Sequence, residues 1–450
     1  MYLKRKIDKT LDKWLFKNDK FPLLLVGIRQ CGKTESVREF AKRNKLELVE
    51  INFWTNPEYI KDFDGKLDVE TIINNISLRK TRNITSDNTL LFFDEIQECP
   101  RARLSFKNFK KESNYLVIGS GSYLGINGYN IGDSTAAPTG YEEVINMMTL
   151  DFEEFLWSLG YNENQINFLV ESFNNKTKIP ENIHSIFKEQ FLKYACIGGF
   201  PRVVNKYLET NKIMEAYSEL NSTIFDMKSD FGRRQDKFGN PLFKPSEVAR
   251  IQSVFELIPT FLAKENKRFI VSKVSGNLSY DKNDAIDYLR QAHIVYKVHN
   301  VSIPSLPLEG EKIENQFKLF PADIGIVVAQ YGIDTLAAIH EGNLGQGKGA
   351  IYESLVFDSL IKCGITPYYY AKESGLEIDF VISYNGCATL VESKYKSGNT
   401  KSSKTVMQHP EHYGKTKLIK IGDYNISEEN DIITIPHYLT FILGKIKYDF

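Results

Sequence analysis

Residues Gly27-Ile-Arg-Gln-Cys-Gly-Lys33-Thr34 fit the pattern GxxxxGK[ST], and no other stretch of the 450-residue chain restricts its fold as tightly. The segment sits between an apolar run, Pro-Leu-Leu-Leu-Val, and a helical stretch from Glu35 to Asn44. A strand, a glycine-bearing loop and a helix in that order form the context in which such a loop works. Gly27 and Gly32 allow the backbone to curl until its N–H groups face one centre, and the following helix adds the positive end of its dipole. The residues expected around a bound phosphate chain are therefore Gly27, Ile28, Arg29, Gln30, Cys31, Gly32, Lys33, Thr34 and Glu35. Lys33 reaches the outer phosphate oxygens, and Thr34 offers its hydroxyl to Mg²⁺. None of these contacts reads a base, so the loop alone does not select the nucleotide.

A second element matches the first. Leu90-Leu-Phe-Phe-Asp94-Glu95 is an apolar strand ending in two carboxylates, as expected of a Walker B segment beside the loop. Asp94 would hold the metal through water, and Glu95 would polarise the attacking water. Two acids can also simply cap a strand end; their pairing with the loop favours the metal reading. The strand Tyr115-Leu-Val-Ile then runs into Gly119-Ser-Gly-Ser122, which puts Ser122 or Ser120 at a strand tip near the γ-phosphate. A plain Gly-Ser turn leaving a strand is the competing account.

The chain is long enough for two to four cores of roughly 100–200 residues each. Its 57 basic and 57 acidic side chains cancel, so global charge names no partner. Residues 1–45 and 394–420 are locally basic, which reads either as solvated faces or as nucleic-acid contact. Cys31, Cys99, Cys196, Cys363 and Cys387 are far apart and form no CxxC pair, against a disulfide framework or zinc site. No apolar run approaches the ~18 residues of a membrane span. The start, Met1-Tyr-Leu-Lys-Arg-Lys, leads into an amphipathic stretch without a signal-peptide core. The expectation is a cytoplasmic protein without a membrane partner.

Strands at Pro22–Val26, Leu46–Asn52, Leu90–Phe93 and Tyr115–Ile118 alternate with helical periods, which predicts a parallel sheet with helices on both faces. From about 150 the chain turns mostly helical, with Asp151 or Thr149 as the first cap. Turns fall at Gly198-Gly-Phe-Pro201 and Gly239-Asn-Pro241, and residues 301–316 read as an exposed excursion. A Gly-rich stretch, Gly342 to Gly349, precedes a helix from about Ala350 to Cys363. Strands follow near 367–370, 377–384, 387–395 and 417–421, read as a separate small α/β domain.

Within that last third, Asn385-Gly386 joins two apolar-rich runs and predicts a two-residue type I′ hairpin turn. With 384 opposite 387, Asp379 faces Glu392 and Glu377 faces Lys394. Simple alternation places these four on one face and Ile378, Phe380, Ile382 and Val391 on the other. Directly opposed carboxylates repel, so a sheet does not choose the pair for stability. A divalent cation such as Mg²⁺ or Mn²⁺ removes the conflict, with Lys394 placed to orient or help deprotonate a bound water.

These residues carry two resemblances. The loop with Arg29 and Gln30, Asp94-Glu-Ile-Gln97, Gly121-Ser-Tyr-Leu-Gly125, Asp151-Phe-Glu-Glu-Phe-Leu156, Gly198-Gly-Phe-Pro-Arg202 and Val391-Glu-Ser-Lys394 resemble AAA+-type prokaryotic ATPases with a C-terminal domain of unknown function. Asp379 with Glu392-Ser-Lys394, and Glu353 on the preceding helix, resembles the PD-(D/E)xK nuclease core. The first resemblance implies an α/β fold with a P-loop parallel sheet at 1–150, a helical lid at 151–240, a winged-helix-like region at 241–340 and a nuclease-like domain at 341–450. ATP and Mg²⁺ are the implied cofactors, with Thr34, Asp94, Asp379 and Glu392 as metal residues. The implied catalytic residues are Glu95, Glu353, Asp379, Glu392 and Lys394. Serine after the fourth strand, where such enzymes usually carry asparagine, is a departure. Arg202, Arg233, Arg234, Arg250 and Arg290 are candidate arginine fingers, each equally readable as a surface ion pair. Two functions follow: an ATP-driven enzyme whose C-terminal domain cleaves nucleic acid, or an ATP-set regulator whose nuclease-like domain only docks.

Overall fold

Five short segments, of which only the first is apolar from end to end, build the first sheet. They are β1 (Leu23–Gly27), β2 (Glu47–Asn52), β3 (Thr89–Asp94), β4 (Leu116–Gly121) and β5 (Glu143–Met147). All neighbours are parallel, in the order β2-β3-β4-β1-β5. Every residue of β1 and β3 is buried, as a strand covered on both faces must be. The protein is described here by a computed structural model covering residues 1–122, 140–232, 241, 243–264, 284–342, 348–394 and 400–445. Arg233, Arg234, Gly239-Asn240 of the second predicted turn, the Tyr123–Gly125 part of the serine motif and most of the Gly342–Gly349 stretch lie outside the described residues.

Helices α1 (Lys6–Leu15), α2 (Lys33–Arg43), α3 (Val69–Lys80), α4 (Pro100–Leu104) and α5 (Phe106–Glu112) accompany this sheet. One core cluster joins Val26, Ile51, Phe53, Phe63, Ile72, Phe93, Phe106 and Phe109. Its rings meet edge-on, with Phe53 and Phe63 centroids 5.6 Å apart and Phe63 and Phe93 5.4 Å apart. Such contacts add roughly 0.5–1.5 kcal/mol each beyond area burial. β4 lies between β1 and β3, so the acid-bearing strand is next but one to the strand that carries the loop. Residues 1–149, with short later pieces, form one compact unit; most described residues from Leu150 onward form another.

The second unit opens on the helix Phe152–Ser158, where Asp151 and Glu154 form a reciprocal capping box: Glu154 N–H donates to Asp151 Oδ1 at 2.9 Å. Helices at Glu163–Asn174, Glu181–Ile197, Pro201–Thr210, Ile213–Ser229 and Pro245–Leu262 follow. Its sheet has eight strands: β6 (Val295–Val301), β7 (Lys312–Pro321), β8 (Tyr368–Ala371), β9 (Glu377–Tyr384), β10 (Cys387–Ser393), β11 (Thr416–Gly422), β12 (Ser427–Glu429) and β13 (Ile432–Pro436). Their order is β12-β13-β11-β10-β9-β8-β6-β7. The stretch read as an excursion over 301–316 therefore ends inside β7, an antiparallel partner of β6. Its first five residues are half-buried or exposed and mostly polar, and that masked the strand. The same sheet runs across residue 341, where sequence alone suggested a separate domain.

Buried charge explains the Gly198-Gly199 turn. Lys362 Nζ, 1% exposed, reaches Asp323 at 2.9 Å, Asp358 at 2.8 Å and the Tyr194 hydroxyl at 2.8 Å. Asp323 also accepts from Gly199 N–H at 3.0 Å and Gly325 N–H at 2.8 Å. A Cβ on Gly199 would lie 2.0 Å from the Leu150 carbonyl oxygen, so no larger residue fits there. Burial, followed by the Asp323 charge, outweighs the pull of Lys362 and raises the Asp358 carboxyl from 3.8 to about 6. A carboxyl raised in the folded state stabilises the fold fully below its unfolded value and loses that contribution as pH rises through the folded value. Urea denaturation of wild type and Asp358→Asn from pH 4 to 7 should thus show the wild type losing stability relative to the variant as pH rises. A pH-independent difference would contradict this.

Candidate functional site

The phosphate loop connects the end of β1 to the start of α2. A Cβ at Gly27 would sit 2.2 Å from the Met147 carbonyl oxygen, so the loop can leave β1 against β5 only from glycine. Gln30 and Gly32 both take positive φ, 63° and 98°. Positive φ at Gly32 lets the chain turn straight into α2, where Ser36 N–H closes on the Gly32 carbonyl at 3.0 Å. Lys33 is buried with its Nζ inside the curl, 3.1 Å from both the Gly27 and the Ile28 carbonyl oxygens. The Glu35 carboxylate turns outward to Arg38 at 2.6 Å.

Asp94, 3% exposed at the end of β3, gathers donors from three neighbouring segments. Its Oδ2 accepts from Thr34 Oγ1 at 3.0 Å and from Asn52 Nδ2 at 3.0 Å. Its Oδ1 accepts from Ser120 Oγ and from Glu95 N–H at 3.1 Å. Burial raises the Asp94 carboxyl above its ordinary value, the Glu95 charge adds to this, and the Ser120 and Thr34 hydroxyls oppose it. Glu95 takes a left-handed backbone, φ 51°, and its carboxylate accepts from the Gln97 side-chain amide. Of the two serines of that motif, Ser120 is the one that reaches the site. It is buried and sits within the strand interposed between β1 and β3, while Ser122 follows the strand's end.

In the second unit, Asp379, Glu392 and Lys394 come together. Lys394 Nζ lies 2.8 Å from Glu392 and 3.5 Å from Asp379. Ser393 N–H donates to Asp379 Oδ2 at 2.9 Å, and Ser403 Oγ donates to Glu392 Oε1 at 2.5 Å. Burial, then the Asp379 charge, raises the Glu392 carboxyl. Burial alone would lower Lys394, but the two acids outweigh it and hold the ammonium above its ordinary value. The hairpin ladder follows the expected register from Cys387↔Tyr384 to Val391↔Phe380, with positive φ at both Asn385 and Gly386. Beyond it the pairing with β8 slips, and Ile378 shares a core cluster with Val381 and Leu390 instead of lying with Phe380. Such a bulge re-aims side chains, which strict alternation misses.

Glu353 is held elsewhere. It is buried, and Lys318 Nζ reaches it at 3.1 Å and Glu377 at 3.2 Å. Burial would lower the Lys318 ammonium; Glu353, Glu377 and Asp379 raise it on balance. Among the described residues, no three His, Cys, Asp or Glu side chains form a group suited to a metal ion. The sequence reading missed Lys318 and Asn52, which lie on strands whose pairing had to be known first; it offered Ser120 beside Ser122 without choosing between them. Arg202 pairs with Glu219 and lies 3.4 Å from Asp226, and Arg290 lies 3.2 Å from Asp287.

Three family profiles match the chain: an AAA domain over residues 19–156, a domain of unknown function (DUF8612) over 188–337, and a domain of unknown function (DUF4143) over 348–438. No curated protein matches it. Among solved structures it is similar to a Pif1 helicase from Candida albicans at 14% identity, over 42% of this chain and 47% of the helicase chain, with a TM-score of 0.23. This chain thus spans less than half of that helicase, and so loose a superposition carries no argument. The loop, the Asp94 strand, the parallel sheet and the AAA match define an AAA-type nucleotide-binding domain of the P-loop ATPase class. No described helix is long and apolar enough to cross a membrane.

Removing one partner of a buried ion pair leaves the other uncompensated, at a cost of about 3–5 kcal/mol. Lys318→Met should therefore destabilise the second unit by that order in urea denaturation. Loss of less than about 1 kcal/mol would show that Glu353 does not depend on Lys318.

Proposed function

We propose that this chain binds ATP with Mg²⁺ and hydrolyses it. The observation that carries the reading is the 3.0 Å contact between Thr34 and Asp94, which joins the phosphate loop to the acid strand. A hydroxyl and a carboxylate at that spacing are the hard oxygen donors Mg²⁺ prefers. Thr34 would hold the ion directly and Asp94 through water; the ion supplies charge neutralisation on the phosphate oxygens. Lys33 contacts the same oxygens from inside the curl. Glu95, turned by its left-handed backbone, takes the proton of the attacking water, and the Gln97 amide steadies it until then. Gly27, Ile28, Arg29, Gln30, Cys31, Gly32 and Glu35 complete the nucleotide contacts, and Ser120 takes the role considered for Ser122. In this reading residues 151–240 are the helical lid and 241–340 the winged-helix-like region. The run of helices from Phe152 to Ser229 and the β6–β7 hairpin after Asp284–Gln291 support it.

For the C-terminal domain, the reading is a PD-(D/E)xK-like, Mg²⁺-dependent nuclease acting on DNA or RNA. It is supported by the meeting of Asp379, Glu392 and Lys394. Asp379 and Glu392 would ligate the ion, Lys394 would orient the attacking water, and Glu353 would act through Lys318 from outside the first set of ligands. A second reading, a catalytically silent docking domain, is favoured by the lysines that already balance these acids.

ATP turnover by the full chain tests the first proposal. Lys33→Ala should lose most nucleotide affinity, while Glu95→Gln should keep it and turn over roughly 10²–10⁴-fold more slowly. Parent-rate hydrolysis by Glu95→Gln would remove Glu95 as the base. For the second unit, Mg²⁺ or Mn²⁺ titration and cleavage assays on single- and double-stranded DNA and RNA, with and without ATP, should show activity abolished by Asp379→Ala and Lys394→Ala. Absence of metal binding that depends on Asp379 and Glu392 would leave the docking reading in its place.

A further inference from the structure

Arg5 belongs to none of the sequence motifs, yet its guanidinium grips the backbone of the phosphate loop. Nη1 donates to the Cys31 carbonyl at 2.8 Å and Nη2 to the Met148 carbonyl at 2.7 Å, just beyond β5. The residue is 5% exposed. Its own position is fixed at the start of α1, where Arg5 N–H donates to Asp8 Oδ2 at 2.9 Å. Asp8 Oδ1 in turn accepts from the Tyr2 hydroxyl at 2.5 Å, and that hydroxyl lies 3.3 Å from Ser36 Oγ on α2. The guanidinium is thus a strut between the N-terminal segment, the middle of the loop and the strand beside β1.

The carbonyl it grips has a particular partner. A trans peptide unit holds its C=O and N–H on opposite sides, and the Cys31 carbonyl shares its unit with the Gly32 N–H. Gly32, with φ 98°, is a residue for which rotation of that unit costs little, so glycine alone does not decide which way the N–H points. An anchor on the carbonyl decides it. Loop N–H groups that converge are what cradle the phosphates.

We propose that Arg5 is a positioning residue for the nucleotide site: by holding the Cys31 carbonyl outward it aims the Gly32 N–H at the bound phosphates. The forked guanidinium serves both carbonyls at once, which a single ammonium does not do in the same geometry. The proposal rests on the loop's nucleotide-binding role, and its test separates the two. Calorimetric titration of the full chain with MgADP and MgATP is made for wild type, Arg5→Lys, Arg5→Ala and Lys33→Ala, well below each melting temperature. Both Arg5 variants should bind both nucleotides more weakly by the same factor, roughly tenfold. The amide signal of Gly32 in the nucleotide-free ¹H–¹⁵N spectrum should move in Arg5→Lys as the anchor on the Cys31 carbonyl changes, and the loss of affinity in a folded variant is what a purely stabilising arginine does not produce. If Arg5→Ala does not fold, Arg5→Lys decides. Wild-type affinity for both nucleotides in a folded Arg5→Lys, or a lowered melting temperature with unchanged affinity and an unmoved Gly32 signal, overturns the proposal. Absence of nucleotide binding by the wild type overturns it together with the nucleotide reading itself.

Discussion

A carboxylate buried at the end of a parallel strand must find donors or give up its charge, and Asp94 finds them on every side. Thr34 comes from the phosphate loop, Asn52 from the end of β2 and Ser120 from β4. The strand order β2-β3-β4-β1-β5 makes this convergence possible, because it brings the ends of three strands and one loop around a single acid. Exchanging any of these elements would leave Asp94 short of partners. The arrangement also explains why burial raises the Asp94 carboxyl only against the opposition of two hydroxyls. A dication in reach of those oxygens would favour the ionised form further.

The same constraint recurs in the second unit with lysine as the answer. Lys362 sits between Asp323 and Asp358, Lys318 serves Glu353 and Glu377, and Lys394 serves Glu392 and Asp379. The first of these is fully enclosed and ties the Gly198-Gly199 turn to the helices around it. The third is partly open, with Lys394 about a quarter exposed at 23%. That difference separates a charge cluster sealed from solvent from one that solvent reaches.

Much of this was legible in the sequence, for identifiable reasons. The β1–loop–α2 unit, β3 with its terminal acids and the Asn385-Gly386 turn are local: each is specified by residues adjacent in the chain. The register from Cys387 to Val391 followed from the turn alone. What escaped depends on contacts between distant segments. The bulge in β9 arises from its pairing with β8, so strict alternation misplaced Ile378. β7 was hidden because its first half is mostly polar and only half-buried or exposed. Asn52 and Lys318 acquire their partners only once the strands are ordered side by side, the choice of Ser120 over Ser122 waits on the same ordering, and Arg5 reaches the loop across 26 residues of chain.

The central claim is that Thr34 and Asp94 form a metal-dependent nucleotide site. It is tested most directly by calorimetric titration of ATP into the full chain with Mg²⁺ and with excess chelator, for wild type and Asp94→Asn. The account predicts tighter binding by the wild type with Mg²⁺ than without it, and loss of most of that difference in Asp94→Asn. Equal affinity with and without Mg²⁺ in the wild type, or an undiminished Mg²⁺ effect in Asp94→Asn, would contradict it.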